Sequence, residues 1–170
     1  MSEIHDEHKT TVLDNSPRDP GSDPDRDARA AWISLLAQAP AAALEARWAE
    51  SGLDPVFSFL RRPEIGLVMT RGRAGGTGAA FNLGEATATR CSVRLDSGEE
   101  GHAYALGRDL RKAEISALCD ALMQTDQAAA VAQSVLAPLA AEREARQSDA
   151  ARKAAATKVE FFTMTRGESE

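Results

Sequence analysis

Residues 69–95, MTRGRAGGTGAAFNLGEATATRCSVRL, carry two strand-like runs closing on a loop that holds Gly72, Gly75, Gly76 and Gly78. Arg71 and Arg73 stand at the loop's entrance and Asn82, Leu83 and Gly84 at its exit. Upstream, residues 64–70 alternate Ile65, Leu67 and Met69 toward one side, a strand pattern that turns these three inward. Downstream, residues 85–95 place Thr87, Thr89, Cys91, Val93 and Leu95 on one face and Arg90, Ser92 and Arg94 on the other. A chain built around this pair must form a small antiparallel sheet. Glycine permits positive φ and close backbone approach, so amides here can face an anion while Arg71 and Arg73 supply paired donors. The same residues also suit a tight turn beneath solvated arginines.

The loop matches neither named phosphate motif. A Walker loop needs a lysine and a hydroxyl after its last glycine, and none follows Gly78. The dinucleotide fingerprint joins a strand to a helix, whereas residues 85–95 read as a second strand. Candidate ligand or phosphate contacts are therefore Arg71, Arg73, Gly75, Gly76, Arg90, Arg94 and Arg108, with no Mg-nucleotide loop behind them. Residues 61–111 hold eight arginines, no lysine and six carboxylates. This mild basic excess fits one small anion better than a nucleic-acid face, which needs a continuous basic stripe.

The 170-residue chain is 43% hydrophobic, enough for one domain with a core. Its net charge of −6 is concentrated at the start. Residues 1–27 hold eight acidic and three basic residues and few apolar ones, the composition of a disordered acidic tail. Cys91 and Cys119 lack metal-ligand spacing and read as buried thiols of a reducing compartment. No secretory leader or membrane-length apolar run is visible, so a cytoplasmic location without membrane contact is expected.

Along the chain, a helix from Ala28 sets Trp32, Leu35 and Leu36 on one face. Residues 41–51 form a second, with Leu44 and Trp48 inward and Gly52 as its stop. The pair raises a helix-turn-helix regulator as one alternative. Its second helix, with one arginine and two glutamates, is a poor neighbour for phosphates. Asp54 and Pro55 open a short helical turn that Arg61, Arg62 and Pro63 close. Asp96, Ser97 and Gly98 make a hairpin turn, and residues 101–106 return with His102, Tyr104 and Leu106 on one side. Asp109 caps a helix over residues 110–124 that buries Ala113, Ile115, Leu118, Ala121 and Leu122. Thr125 or Asp126 caps the next, which carries Val131, Val135 and Leu139 and breaks at Pro138. A polar, alanine-rich helix follows. The chain then ends in an extended segment with Phe161, Phe162 and Met164, which fits docking on this sheet or on a partner. The fold class expected is α+β: N-terminal helices, an antiparallel meander, C-terminal helices and a terminal extended segment. Residues 28–167 form the subunit domain, with a partner-binding arm over about residues 140–167.

Taken together, GLVMTRGRAGGTGAAFNLGEATATRCSVRL, GHAYALGRDLRKAE, DALMQ and KVEFFTMTRG resemble the G subunit of the carbon-phosphorus lyase core complex, in the same order across residues 28–167. The resemblance implies a hetero-oligomer with the H, I and J subunits, to which ATP-cassette-like K and L subunits attach. It further implies that such a subunit acts with H, I and L to form alpha-D-ribose 1-methylphosphonate 5-triphosphate from ATP and methylphosphonate. ATP is then a substrate of the complex, with no cofactor, metal or catalytic residue assigned to this chain. The residues agree: they offer arginines and glycine amides, but no nucleophile, metal cluster or acid/base pair of the kind displacement at an anomeric carbon requires. A free-standing nucleotide-binding enzyme is the remaining alternative.

Overall fold

A computed structural model describes residues 24–73 and 77–157, apart from the side chain of Pro24. In order the elements are α1 (Pro24–Gln38), α2 (Ala41–Ser51), β1 (Phe57–Arg73), β2 (Ala80–Leu95), β3 (Glu100–Leu106), α3 (Leu110–Leu122), α4 (Ala128–Val131), a π turn (Ala132–Leu136) and α5 (Ala137–Ala156). The architecture is α+β, and the strands form one antiparallel meander in the order β1-β2-β3. Helix α1 begins four residues before the tail boundary drawn from sequence.

Helix α3 lies at the centre. Asp109 starts it, accepting the Lys112 N–H at 2.8 Å. From Ile115 to Leu122 every residue is buried, with β2 and β3 on one side and α1 and α2 on the other. Small residues let it settle directly onto the sheet. A Cβ added to Gly101 would lie 2.0 Å from the Ala117 carbonyl oxygen and 2.8 Å from the Ala121 Cβ, so only glycine fits at that crossing. Leu36, Leu44, Val93, Ile115, Leu122, Val131, Val135 and Leu139 complete the core.

Helix α2 ends at Gly52, whose φ of 67° is the left-handed value a C-terminal glycine supplies. It turns Leu44 and Trp48 onto α3 and the π turn. Arg47 on its outer side is occupied by Glu50 at 2.8 Å and Glu142 at 3.0 Å. The helix covers the core and presents no basic face, which removes the helix-turn-helix reading.

Four local expectations are corrected. Residues 55–63 are no helical turn, because β1 already begins at Phe57. Phe57 pairs with Leu95 and Phe59 with Val93, and the two rings meet edge to face at 5.2 Å. Alternation of aromatic side chains against the core outweighs the Asp54-Pro55 signal. Pro63 is tolerated because β1 is an edge strand with register shifts on both sides of Arg61.

Neither Thr125 nor Asp126 caps α4; Gln127 is at the cap without a side-chain bond. Thr125 instead closes α3, its Oγ1 donating to the Leu122 carbonyl at 2.7 Å and accepting the Gln127 N–H at 3.1 Å. Pro138 does not break the helix either. It has no N–H and its ring crowds the carbonyl four residues back, and the five residues ending at Leu136 widen into a π turn that carries the chain through. Val131, Val135 and Leu139 stay buried across it.

The fourth correction concerns Ile65, Leu67 and Met69, which are 48%, 63% and 53% exposed. They occupy the expected face. Ile65 pairs with Thr89, Leu67 with Thr87 and Met69 with Glu85, in the row that continues through the buried Cys91 and Val93. What is missing is cover. Strand β3 pairs with β2 only as far as Ala88, and beyond that rung β1 and β2 continue alone as a two-stranded ribbon to Arg73 and Ala80.

Candidate functional site: the arginines of the sheet and ribbon

The structure separates the arginines singled out in the sequence into two groups. Arg90 and Arg94 rise from the outer face of β2, beside Ser92, as the alternation predicts. Arg90 Nε donates to Glu64 Oε1 at 2.6 Å, and Arg61 reaches the same oxygen at 2.5 Å. These two guanidinium groups, Arg61 first, hold the Glu64 carboxyl below its ordinary range. Arg94 grips Glu100 Oε1 through Nε at 3.0 Å and Nη2 at 2.5 Å, and lowers that carboxyl in the same way. Both arginines are thus already matched by a carboxylate across the strand pair.

Arg71 and Arg73 lie at the far end of the ribbon, opposite Asn82 and Ala80. Seven residues of strand, roughly 23 Å, separate Arg71 from the Glu64–Arg90 rung. Among the described residues Arg73 donates to the Gly78 carbonyl alone, at 3.4 Å. Arg108 follows Gly107, whose φ is 104° and whose N–H bonds the Thr87 carbonyl at 2.9 Å, so it stands exposed at the ribbon's foot. Among the described residues none of these three arginines makes an ion pair. Gly75, Gly76, Phe161, Phe162 and Met164 lie outside the described residues.

Beside Arg90, a shallow recess of about 250 Å³ is lined by Ile33, Arg61, Ser92, His102 and Tyr104. His102 Nδ1 lies 3.0 Å from Ser92 Oγ, a spacing open to a hydroxyl and its base. No carboxylate hydrogen-bonds that imidazole among the described residues, so the third member that would orient a base is not there. The thiols offer no nucleophile. Burial pushes Cys91 up to about 11 and Cys119 up to about 12, and both are free. Among the described residues no group of three or more His, Cys, Asp or Glu is placed to hold a metal.

The strongest polar constellation was not read from the sequence. Asp120, fully buried on α3, accepts from Arg29 Nε at 3.1 Å and Nη2 at 2.8 Å, from Trp32 Nε1 at 2.9 Å and from the His102 N–H at 2.9 Å. One carboxylate ties α1, α3 and the outer edge of β3 together. With its oxygens engaged by four donors it is a clamp and not a base. The available signal was a lone carboxylate in the apolar run 115–123.

Among the described residues the arrangement offers exposed arginines without ion pairs and no oriented base or activated nucleophile. No helix of the described residues is long and apolar enough to cross a membrane. Against known proteins, the profile of the family described as "Phosphonate metabolism protein PhnG" matches residues 27–167. The chain is similar to the "Alpha-D-ribose 1-methylphosphonate 5-triphosphate synthase subunit PhnG" of Rhizobium meliloti (strain 1021), with 43% identity over 136 residues, covering 80% of this chain and 87% of that protein. The chain belongs to the family of the phosphonate metabolism protein PhnG.

Proposed function

We propose that this chain is a subunit of the bacterial carbon-phosphorus lyase core complex, needed to make alpha-D-ribose 1-methylphosphonate 5-triphosphate from ATP and methylphosphonate, and that it contributes binding and not chemistry. The observation that carries the reading is the match to a synthase subunit along nearly the whole of that relative. The geometry supports the second half. Displacing adenine from an anomeric carbon needs carboxylate or base support and cations for the triphosphate. Here Asp120 is enclosed, Glu64 and Glu100 are held by arginines, and the Ser92–His102 pair has no orienting partner among the described residues.

The partners in this reading are the H, I and J subunits, with K and L attaching as ATP-cassette-like subunits. ATP enters as a substrate of the complex and not as a cofactor of this chain. Of the five candidate arginines, Arg71, Arg73 and Arg108 make no ion pair among the described residues and are placed to contact a triphosphate or partner carboxylates, whereas Arg90 and Arg94 fasten the sheet.

Reconstitution tests the reading. Purified H, I and L subunits, ATP and methylphosphonate are combined with and without this chain, and free adenine and the ribosyl product are followed. Adenine release coupled to ribosyl phosphonate only when the chain is present is the expected result. Equal product without it, or ATP turnover by the isolated chain, contradicts the reading.

A further inference from the structure

Leu67 is 63% exposed although it stands in the row of side chains that forms the core two rungs away. Thr89, Cys91 and Val93 in that row are at most 1% exposed, because α3 lies over them. Ile65 lies on the Thr89 rung still shared with β3, and Leu67 and Met69 carry the row past the last shared rung, about 13 Å along β1 from Ile65 to Met69. A contiguous row of three large aliphatic side chains on a projecting ribbon is an unfinished core. The charges around it are one-sided. Among the described residues Arg71 and Arg73 lie beyond its outer end and Arg108 beside the Leu67–Thr87 rung, against Glu85 opposite Met69, while Glu114, which acts on Cys91 at the covered end of the row, is itself paired with Arg111.

We propose that this face of the ribbon, centred on Ile65, Leu67 and Met69, is where the chain docks onto another subunit of the synthase, one presenting an apolar strip edged with carboxylates. The proposal rests on the subunit reading above. Charge decides against a second copy of the chain. Arg108 stands level with Leu67, because Gly107 bonds the Thr87 carbonyl on Leu67's own rung, so a face-to-face two-fold about Leu67 sets either the two copies' Arg108 or their Arg71 and Arg73 against each other. An acidic rim on a different protein pairs all three and leaves the aliphatic row to be covered by apolar partner side chains.

The test uses the full chain coexpressed with the H, I and J subunits. Tagged variant and untagged wild type compete for one set of partners, and native mass spectrometry reads their ratio in the assembled complex. Leu67→Glu with Met69→Glu is expected to lower incorporation at least about a hundredfold, and Arg71→Glu with Arg73→Glu about tenfold. Because all four side chains are exposed, the isolated variants keep the wild-type circular dichroism and unfolding midpoint.

Met69 supplies an independent readout, since mild peroxide converts an accessible thioether to the sulfoxide. Its oxidation is expected to be fast in the isolated chain and suppressed in the complex. Equal incorporation of wild type and Leu67→Glu/Met69→Glu overturns the docking face while leaving the subunit reading intact. Failure of the wild type to assemble at all overturns the subunit reading itself. Two further outcomes also defeat the proposal. One is an isolated dimer that Leu67→Glu dissolves. The other is a Met69 protected in the isolated chain and exposed by truncation after Thr157, which would assign the cover to the chain's own C-terminal residues.

Discussion

Asp120 is the residue on which the packing of the helices against the sheet depends most. Removing its carboxylate leaves Arg29, Trp32 and the His102 N–H without their shared acceptor. Breaking a buried ion pair from one side is strongly destabilising. Asp120→Ala is therefore expected to lower the unfolding free energy by about 3 kcal/mol, measured by urea denaturation. Gly101→Ala is expected to cost about as much for a steric reason, since its new Cβ would overlap the backbone of α3.

The thiols give a chemical test at the same scale. With Cys91 and Cys119 raised to about 11 and about 12, iodoacetamide at pH 8 should leave both unmodified in the native chain and label both in urea, as intact mass would report. The carboxylates of the outer face set a pH dependence. Glu64 and Glu100 have folded values below the reference of 4.5, so the unfolded chain binds more protons as the pH falls through that value. Stability from these pairs is present above about pH 4.5 and is lost progressively below it. Glu64→Gln with Glu100→Gln should flatten the acid limb of the stability curve.

Among the elements, local signals were legible where neighbours in sequence decide the outcome. Gly52 ending α2, Asp109 starting α3 and the two faces of β2 all rest on contacts within a few residues or on strict alternation. The Asp120 clamp was not legible, because its side-chain partners Arg29 and Trp32 lie 91 and 88 residues away. The first half of β1 was hidden by flanking prolines whose helix-ending meaning holds only away from an edge strand. The exposure of Ile65, Leu67 and Met69 was hidden for another reason. Alternation tells which face a side chain takes, and the length of the covering layer tells whether that face is buried. Two substitutions separate those statements by equilibrium unfolding of the isolated chain. Leu44→Ala, at a fully buried site, should cost about 3 kcal/mol. Leu67→Ala should cost under about 0.5 kcal/mol.

At the scale of the whole molecule, the features divide between a closed body and surfaces left open. Helices α1 to α3, the π turn and the sheet share one core, while the ribbon and residues 144–156 of α5 stand exposed. The candidate arginines follow the same division: Arg90 and Arg94 on the body are paired with Glu64 and Glu100, whereas Arg71, Arg73 and Arg108 at the ribbon's tip and foot make no ion pair among the described residues. The exposed polar end of α5 and a ribbon with an uncovered apolar row leave surface that a partner could cover. The family match shows the family to which the chain belongs, and the physical reading finds no built catalytic constellation among the described residues.

The most direct measurement is the mass of the assembly. The tagged chain is coexpressed with the H, I and J subunits from the same source, purified on the tag and weighed intact by native mass spectrometry. A stable particle containing all four chains is the result this account predicts. A tagged chain that emerges alone as a well-behaved monomer, with H, I and J soluble and unbound, would contradict it.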